Sequence, residues 1–211
     1  IINLIIMKQF YEHDKLEVGL DEAGRGCLLG PVVVGAVIMN DIRDNPPPHE
    51  IKDSKKCSPN IRKILRKYIE ENAIAYNVQF VDEMGIDKHN ILQATMIGMH
   101  QCLDHITSII NISNILVDGT YFENYKNINS FEFIPHVCIA GGDDKYINIA
   151  AASILAKEYH DEYILKLCED NSILKNYDIH NNKGYGTKYH MEALKDFGPT
   201  KWHRKSFKPC Q

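Results

Sequence analysis

The chain has 211 residues, 44% apolar and 25% charged, which suffices for one large hydrophobic core and excludes wholesale disorder. Its net charge is −4, so it is not basic overall, yet residues 52–67 hold seven basic residues against one acidic and residues 183–208 hold seven against two. Subtracting +6 and +5 from the total leaves −15 on the rest, so two basic stretches in an acidic body can draw an anionic partner locally.

The opening run Ile1–Ile6 is apolar but too short to span a bilayer. It lacks the charged start and small-residue cleavage site of a targeting segment and reads as a first strand or a tail. Leu16–Leu20 predicts a strand that runs into a loop at Asp21-Glu22. Pro31–Met39 is β-branched and apolar and predicts a buried second strand. Asp41–His49, with three successive prolines, is a loop. Ser58-Pro59 opens a basic helix to about Glu71. Ala73–Val81 partly alternates and predicts a third strand, and the spacing over Asn90–Ile110 predicts a helix. Asn114–Val117 is a strand stopping at Asp118-Gly119, and Phe131–Ala140 is another. Lys145–Glu169 is the strongest helix; its middle, Ile149–Ala156, is rich in small residues that let a backbone approach a sheet closely. Thr187–Phe197 is a second late helix, capped by Thr187 and stopped by Gly198-Pro199.

No internal repeat, low-complexity tract or flexible linker divides the chain. Strands first and helices late predict one α/β domain over 1–211 with a mixed sheet. Residues 1–15 form its N-terminal edge and about 170–211 a basic helical part. The six cysteines are far apart, with no Cys-x-x-Cys pair, so a structural zinc site and a disulfide framework lack support. A reducing, cytoplasmic setting is expected.

Acidic residues stand where strands are expected to end: Asp21-Glu22, Asp118 and Asp143-Asp144. Each alone is also what an ordinary turn contains. Converging at one sheet edge, they would repel one another unless hard divalent cations such as Mg²⁺ or Mn²⁺ neutralised them. Four carboxylates balance two such ions, and an ion pair suits phosphodiester hydrolysis. Adjacent strand residues face opposite ways, so Asp21 and Glu22 can share a site only if the strand ends or bends there. Gly24-Arg25-Gly26 leaves the backbone open beside a guanidinium, which suits a phosphate or simply a tight turn. Lys183–Thr187 sets Tyr185 between two glycines, so its ring can stack on a sugar or base and its hydroxyl can hydrogen-bond. The lysines and arginine around it can hold a phosphate backbone, or simply face solvent. His190, His203, Trp202 and Cys27 read as structural, since none has metal-type spacing or a triad context.

The segments LDEAGRGCLLGPVVVGAV, KDSKK, ILQATM, ILVDG, GGDDKYINIAAASILAK, NKGYGT and GPTKWHRKSF follow in this order and together resemble ribonuclease HII, of the type 2 ribonucleases H, over about Val18–Phe207. The resemblance implies an RNase H-like fold, a mixed five-stranded sheet flanked by helices with a C-terminal helical portion. It implies an endonuclease that cuts the RNA strand of RNA–DNA hybrids and cuts at ribonucleotides embedded in duplex DNA, by a two-metal mechanism leaving 3′-hydroxyl and 5′-phosphate ends. The catalytic and metal-binding set implied is Asp21, Glu22, Asp118 and Asp143, with two Mg²⁺ or Mn²⁺. The ribonucleotide-sensing elements implied are Gly24, Arg25, Gly26 and Tyr185, and the backbone contacts Lys52, Ser54 and Lys55. Asp144 departs from the family pattern and can share or replace Asp143. The partners implied are hybrid and ribonucleotide-containing duplexes, with no membrane, no clamp-binding tail after Phe207 and a monomeric state; no extra N-terminal domain of the type HIII kind is expected. Two rivals stand beside this reading, a DNA nuclease of the same fold and a catalytically silent binding module. The first has no 2′-hydroxyl to sense, and the second gains nothing from clustered carboxylates.

Overall fold

The computed structural model of the chain describes residues 7–13 and 15–211, so the expectation for Ile1–Ile6 lies outside the described residues. Two strands begin the sheet: β1, Glu17–Ala23, and the β-branched β2, Val32–Met39, paired antiparallel from Gly19↔Val37 to Ala23↔Val33. β3, Ala73–Val81, pairs antiparallel with β2 at the bounds its alternation predicts. β4, Asn114–Asp118, joins the other edge of β1 in parallel, and β5, His136–Ile139, follows β4 in parallel. The sheet therefore has five strands in the order β3-β2-β1-β4-β5 and is mixed.

Helices cover both faces. α1, Pro59–Asn72, starts at Ser58, whose hydroxyl accepts from the Ile61 amide, with Pro59 in the first turn. α2, Glu83–Ile109, is two helical pieces meeting at Asn90, whose φ is 65° and whose side chain accepts from the Leu92 and Gln93 amides. The piece expected from Asn90 onward is present, and a further turn capped by Asp82 precedes it. α3, Ile147–Asp170, is the long helix expected from the small-residue run. The C-terminal part adds α4, Ile179–Asn182, and α5, Lys188–Phe197, capped by Thr187.

Side-chain parity sorts the core. Val18 and Leu20 of β1 and Val34, Ala36 and Ile38 of β2 pack with Met96, Met99, Leu103 and Ile106 of α2. Val37 and Met39 pack on the other face with Leu65 and Ile69 of α1 and Ile147, Ala151 and Ile154 of α3. α3 lies so close because β1 and β2 offer it glycines: a Cβ on Gly19 would sit 2.2 Å from the Asn148 carbonyl carbon, and one on Gly35 would sit 2.4 Å from the Ala152 oxygen. The C-terminal part has its own cluster, in which Leu28, Leu29 and Ile164 meet Leu174, Tyr177, Ala193 and Leu194. Among the described residues, no helix is long and apolar enough to cross a membrane.

Two expectations need correction. β1 does not stop at Leu20; it runs regularly through Asp21 and Glu22 to Ala23, held by β2. What stops is its pairing with β4, whose last rung is Leu20↔Val117, so the edge beyond it is open. The strand expected over Phe131–Ala140 is only His136–Ile139. Phe131 takes a left-handed φ of 58°, and Asn127 and Glu132 close a local turn ahead of Pro135.

Candidate active site

Three segments meet where β1 outruns β4. Asp21 is buried near the end of β1, Asp118 is the last residue of β4, and Asp143 lies in the single 3₁₀ turn Gly142–Asp144 before α3. One carboxylate oxygen of each lies within 4.8 Å of the others. Asp118 accepts from the Gly142 amide at 2.7 Å, which ties the β4 end to the turn that carries Asp143. Burial raises the Asp21 carboxyl well above its ordinary range, and the charges of Glu22 and Asp118 add to the effect. Burial, then Asp118, pushes Asp143 up to about 6. Three carboxylates so close together, two of them buried, are the donor set that a hard divalent cation satisfies.

The other expected residues fall in different places. Glu22 is outside the three-carboxylate group and meets Arg25 at 3.2 Å. It still lines the same cleft, and burial raises its carboxyl although Arg25 opposes the rise. Asp144 is held by Lys56 at 2.6 Å on the surface, and Asp143 alone of this pair joins the group.

The cleft over the carboxylates has a volume of about 470 Å³. One wall is Gly24-Arg25-Gly26 and another is Tyr185, which is 38% exposed. Gly24 needs to be glycine: its φ is 80°, and a Cβ would fall 2.5 Å from the His160 ring. Gly26 does not: a Cβ there would meet nothing within 4 Å. Ser54 and Lys55 also line the cleft, on a turn capped by Asp53. Ser54 is buried and accepts from the Ser153 hydroxyl at 3.0 Å. Arg62 hangs that turn from below, donating to the Ser54 and Cys57 carbonyls and to Glu158. Lys52 is not brought to this cleft and pairs with Glu50 at 3.1 Å.

Sequence reasoning missed Ala23, which follows the carboxylate pair on β1, and two polar lining residues of α3. Ser153 stands beside Asp21, and Lys157 stands 5.4 Å from the Tyr185 ring centroid. Their signal was present, since residues four apart share a helix face and Ser153 lies in, and Lys157 directly after, the small-residue run that α3 presents to the sheet. Cys27 is a buried packing residue, as expected, and burial raises its thiol to about 12.

Comparisons with known proteins agree with one another. The family model described as Ribonuclease HII matches residues 18–210. A ribonuclease HII of Christiangramia forsetii is 44% identical over 207 residues, covering 96% of this chain and 95% of that one. The ribonuclease H2 crystal structure from Pyrococcus horikoshii has the same fold, with a TM-score of 0.72 at 24% identity, covering 92% of this chain and 94% of that one. The Bst-RNase HIII structure in complex with Mn²⁺ scores 0.63 at 17% identity, covering 92% of this chain and 67% of that one. The chain therefore belongs to the ribonuclease HII family and is a metal-dependent endoribonuclease with an RNase H-like fold.

Proposed function

We propose that this chain cuts the RNA strand of RNA–DNA hybrids and cuts at single ribonucleotides embedded in duplex DNA, leaving 3′-hydroxyl and 5′-phosphate ends. The observation that carries this is the cleft itself, where an acidic floor faces a wall at Gly26 that nothing in the protein requires to lack a side chain.

Asp21, Asp118 and Asp143 would hold the divalent cations, with Glu22 at the rim; Mg²⁺ or Mn²⁺, two per site, suits an all-oxygen set. Bound there, the cations supply Lewis acidity for the phosphate and for the attacking water. The chain's own groups do the rest. Arg25 holds Glu22 and offers its remaining donors to a phosphate. Lys55 brings positive charge to the backbone of the bound strand, and Lys157, whose charge is paired with Asp161 at 2.8 Å, lines the cleft beside Tyr185. The Arg25 and Gly26 amides and the Gly26 carbonyl meet the 2′-hydroxyl, which both donates and accepts and so distinguishes ribose from deoxyribose. A base or sugar edge can approach Gly26 because no Cβ intervenes. The half-exposed Tyr185 ring stacks on the deoxyribose at the junction, where its hydroxyl, raised by burial to about 12, stays protonated and can donate.

The test is an incubation of the purified chain with three labelled duplexes under Mg²⁺ or Mn²⁺: DNA with one ribonucleotide, an RNA–DNA hybrid and all-DNA. The first two are cut and the third is not. Chelation with EDTA stops cutting while duplex binding persists. Cutting of the all-DNA duplex at a comparable rate would sink the reading in favour of a DNA nuclease.

A further inference from the structure

His203 and Arg204 are adjacent, fully buried and absent from the cleft lining. The Arg204 guanidinium takes main-chain carbonyls as partners. Its Nη2 donates to Gly24 at 2.7 Å and to Pro31 at 2.9 Å, its Nη1 to Arg25 at 2.9 Å and its Nε to Gly30 at 2.9 Å. A buried cation is costly unless its donors are matched, and only a forked, multi-donor head can match carbonyls spread over this loop. The acceptors on Gly24 and Arg25 belong to the cleft wall, so the guanidinium fixes that wall from behind.

His203 reaches the other wall. The Thr200 amide can only donate, so at 2.9 Å it makes His203 Nδ1 the acceptor. The proton of the neutral ring then sits on Nε2 and is donated to His190 Nε2 at 2.9 Å. His190 is left with its proton on Nδ1, which it donates to the Tyr185 carbonyl at 3.0 Å. One main-chain donor thus sets the direction of the whole relay. The backbone joins the same pieces: the Arg204 amide donates to Leu28, and the Leu28 amide donates to Gly184.

We propose that His203 and Arg204 are positioning residues that set the Gly24–Gly26 loop and Tyr185 relative to one another, and with them the preference for a ribonucleotide within duplex DNA. This rests on the sensing roles given above to those two walls.

The experiment compares cutting at a single ribonucleotide in duplex DNA with cutting of an RNA–DNA hybrid, reading kcat and KM for each. The variants are Arg204→Lys, His203→Asn, His203→Gln and Tyr185→Ala, each checked for folding by circular dichroism. Asn keeps the acceptor toward Thr200 but loses the donor toward His190; Gln restores a donor at that reach. Arg204→Lys and His203→Asn lower the ratio of the two activities by about tenfold or more, chiefly in kcat, and His203→Gln recovers part of the loss. Folded Arg204→Lys and His203→Asn proteins with the unaltered ratio, beside a Tyr185→Ala protein that has lost it, overturn the positioning role and leave the site reading intact. A Tyr185→Ala protein that keeps the ratio removes the sensing role and the proposal with it. Where a variant does not fold, nitrogen NMR of the unaltered protein decides: the proposal requires His203 protonated on Nε2 and His190 on Nδ1, and any other tautomer pair overturns it.

Discussion

Gly26 and the carboxylates make opposite demands on substitution. A Cβ at Gly26 meets no protein atom, so Gly26→Ala leaves unfolding stability within about 0.5 kcal/mol in urea titrations. The same change lowers cutting at an embedded ribonucleotide by about tenfold, since the methyl group occupies the approach of the strand. Unaltered cutting would show that this glycine serves only its own turn. Asp21 and Asp118 ride on strands, whereas Asp143 sits in a single turn, and sites on regular elements are held more tightly. Asp21→Asn and Asp118→Asn therefore reduce turnover on the order of a thousandfold, several kcal/mol of transition-state stabilisation, and Asp143→Asn reduces it least. Equal losses at all three positions would refute that ranking.

At the scale of elements, the contact of α3 with the sheet carries the site, because the face that meets Gly19 and Gly35 continues into Ser153 and Lys157. Gly19→Ala forces a methyl group into the Asn148–Ile149 backbone, which cannot give as a side chain can. It costs about 3 kcal/mol of stability, measured by denaturant titration. The His190–His203 pair gives a pH signature. Burial lowers both imidazoles, His203 to about 4, so the folded chain keeps them neutral while the unfolded chain takes up protons below about 6.5. Stability therefore declines as pH falls from about 6.5 to about 4. In His203→Gln that decline is shallower by about 1.4 kcal/mol per pH unit, as thermal unfolding across the range will show. Much of this level was legible in the sequence. Ala73–Val81 alternates in isolation, Ser58 and Thr187 announce their helices because capping is a local bond, and the spacing over Asn90–Ile110 announces most of α2. Phe131–Ala140 misled because apolar content does not reveal a left-handed residue. The carboxylates were legible through their motifs. Arg204 and His203 were not, because their partners lie some 180 and 13 residues away and only the folded chain brings them together.

At the scale of the whole molecule, the two basic segments are not alike. In residues 52–67, Lys52, Lys56, Arg62, Arg66 and Lys67 all form ion pairs within the protein, so the segment offers a bound duplex far less charge than its composition suggests. In residues 183–208 Arg204 is buried, but among the described residues Lys195, Lys201, Lys205 and Lys208 have no ion pair. Neutralising Lys201 and Lys205 together therefore flattens the salt dependence of duplex binding by up to about two counterions, whereas neutralising Lys67, which is paired with Glu71, leaves it nearly unchanged; binding titrations across a salt series measure both.

The three carboxylates arrive from three separate stretches of chain, the ends of β1 and β4 and the turn before α3. Their mutual repulsion therefore pushes elements apart, and whatever quenches it also holds them together. A cation present at about one hundred times its Kd adds about 2.7 kcal/mol against unfolding. Divalent-cation supply would then govern how long the protein survives a protease as well as how fast it turns over, and limited digestion with and without Mg²⁺ or Mn²⁺ would reveal it.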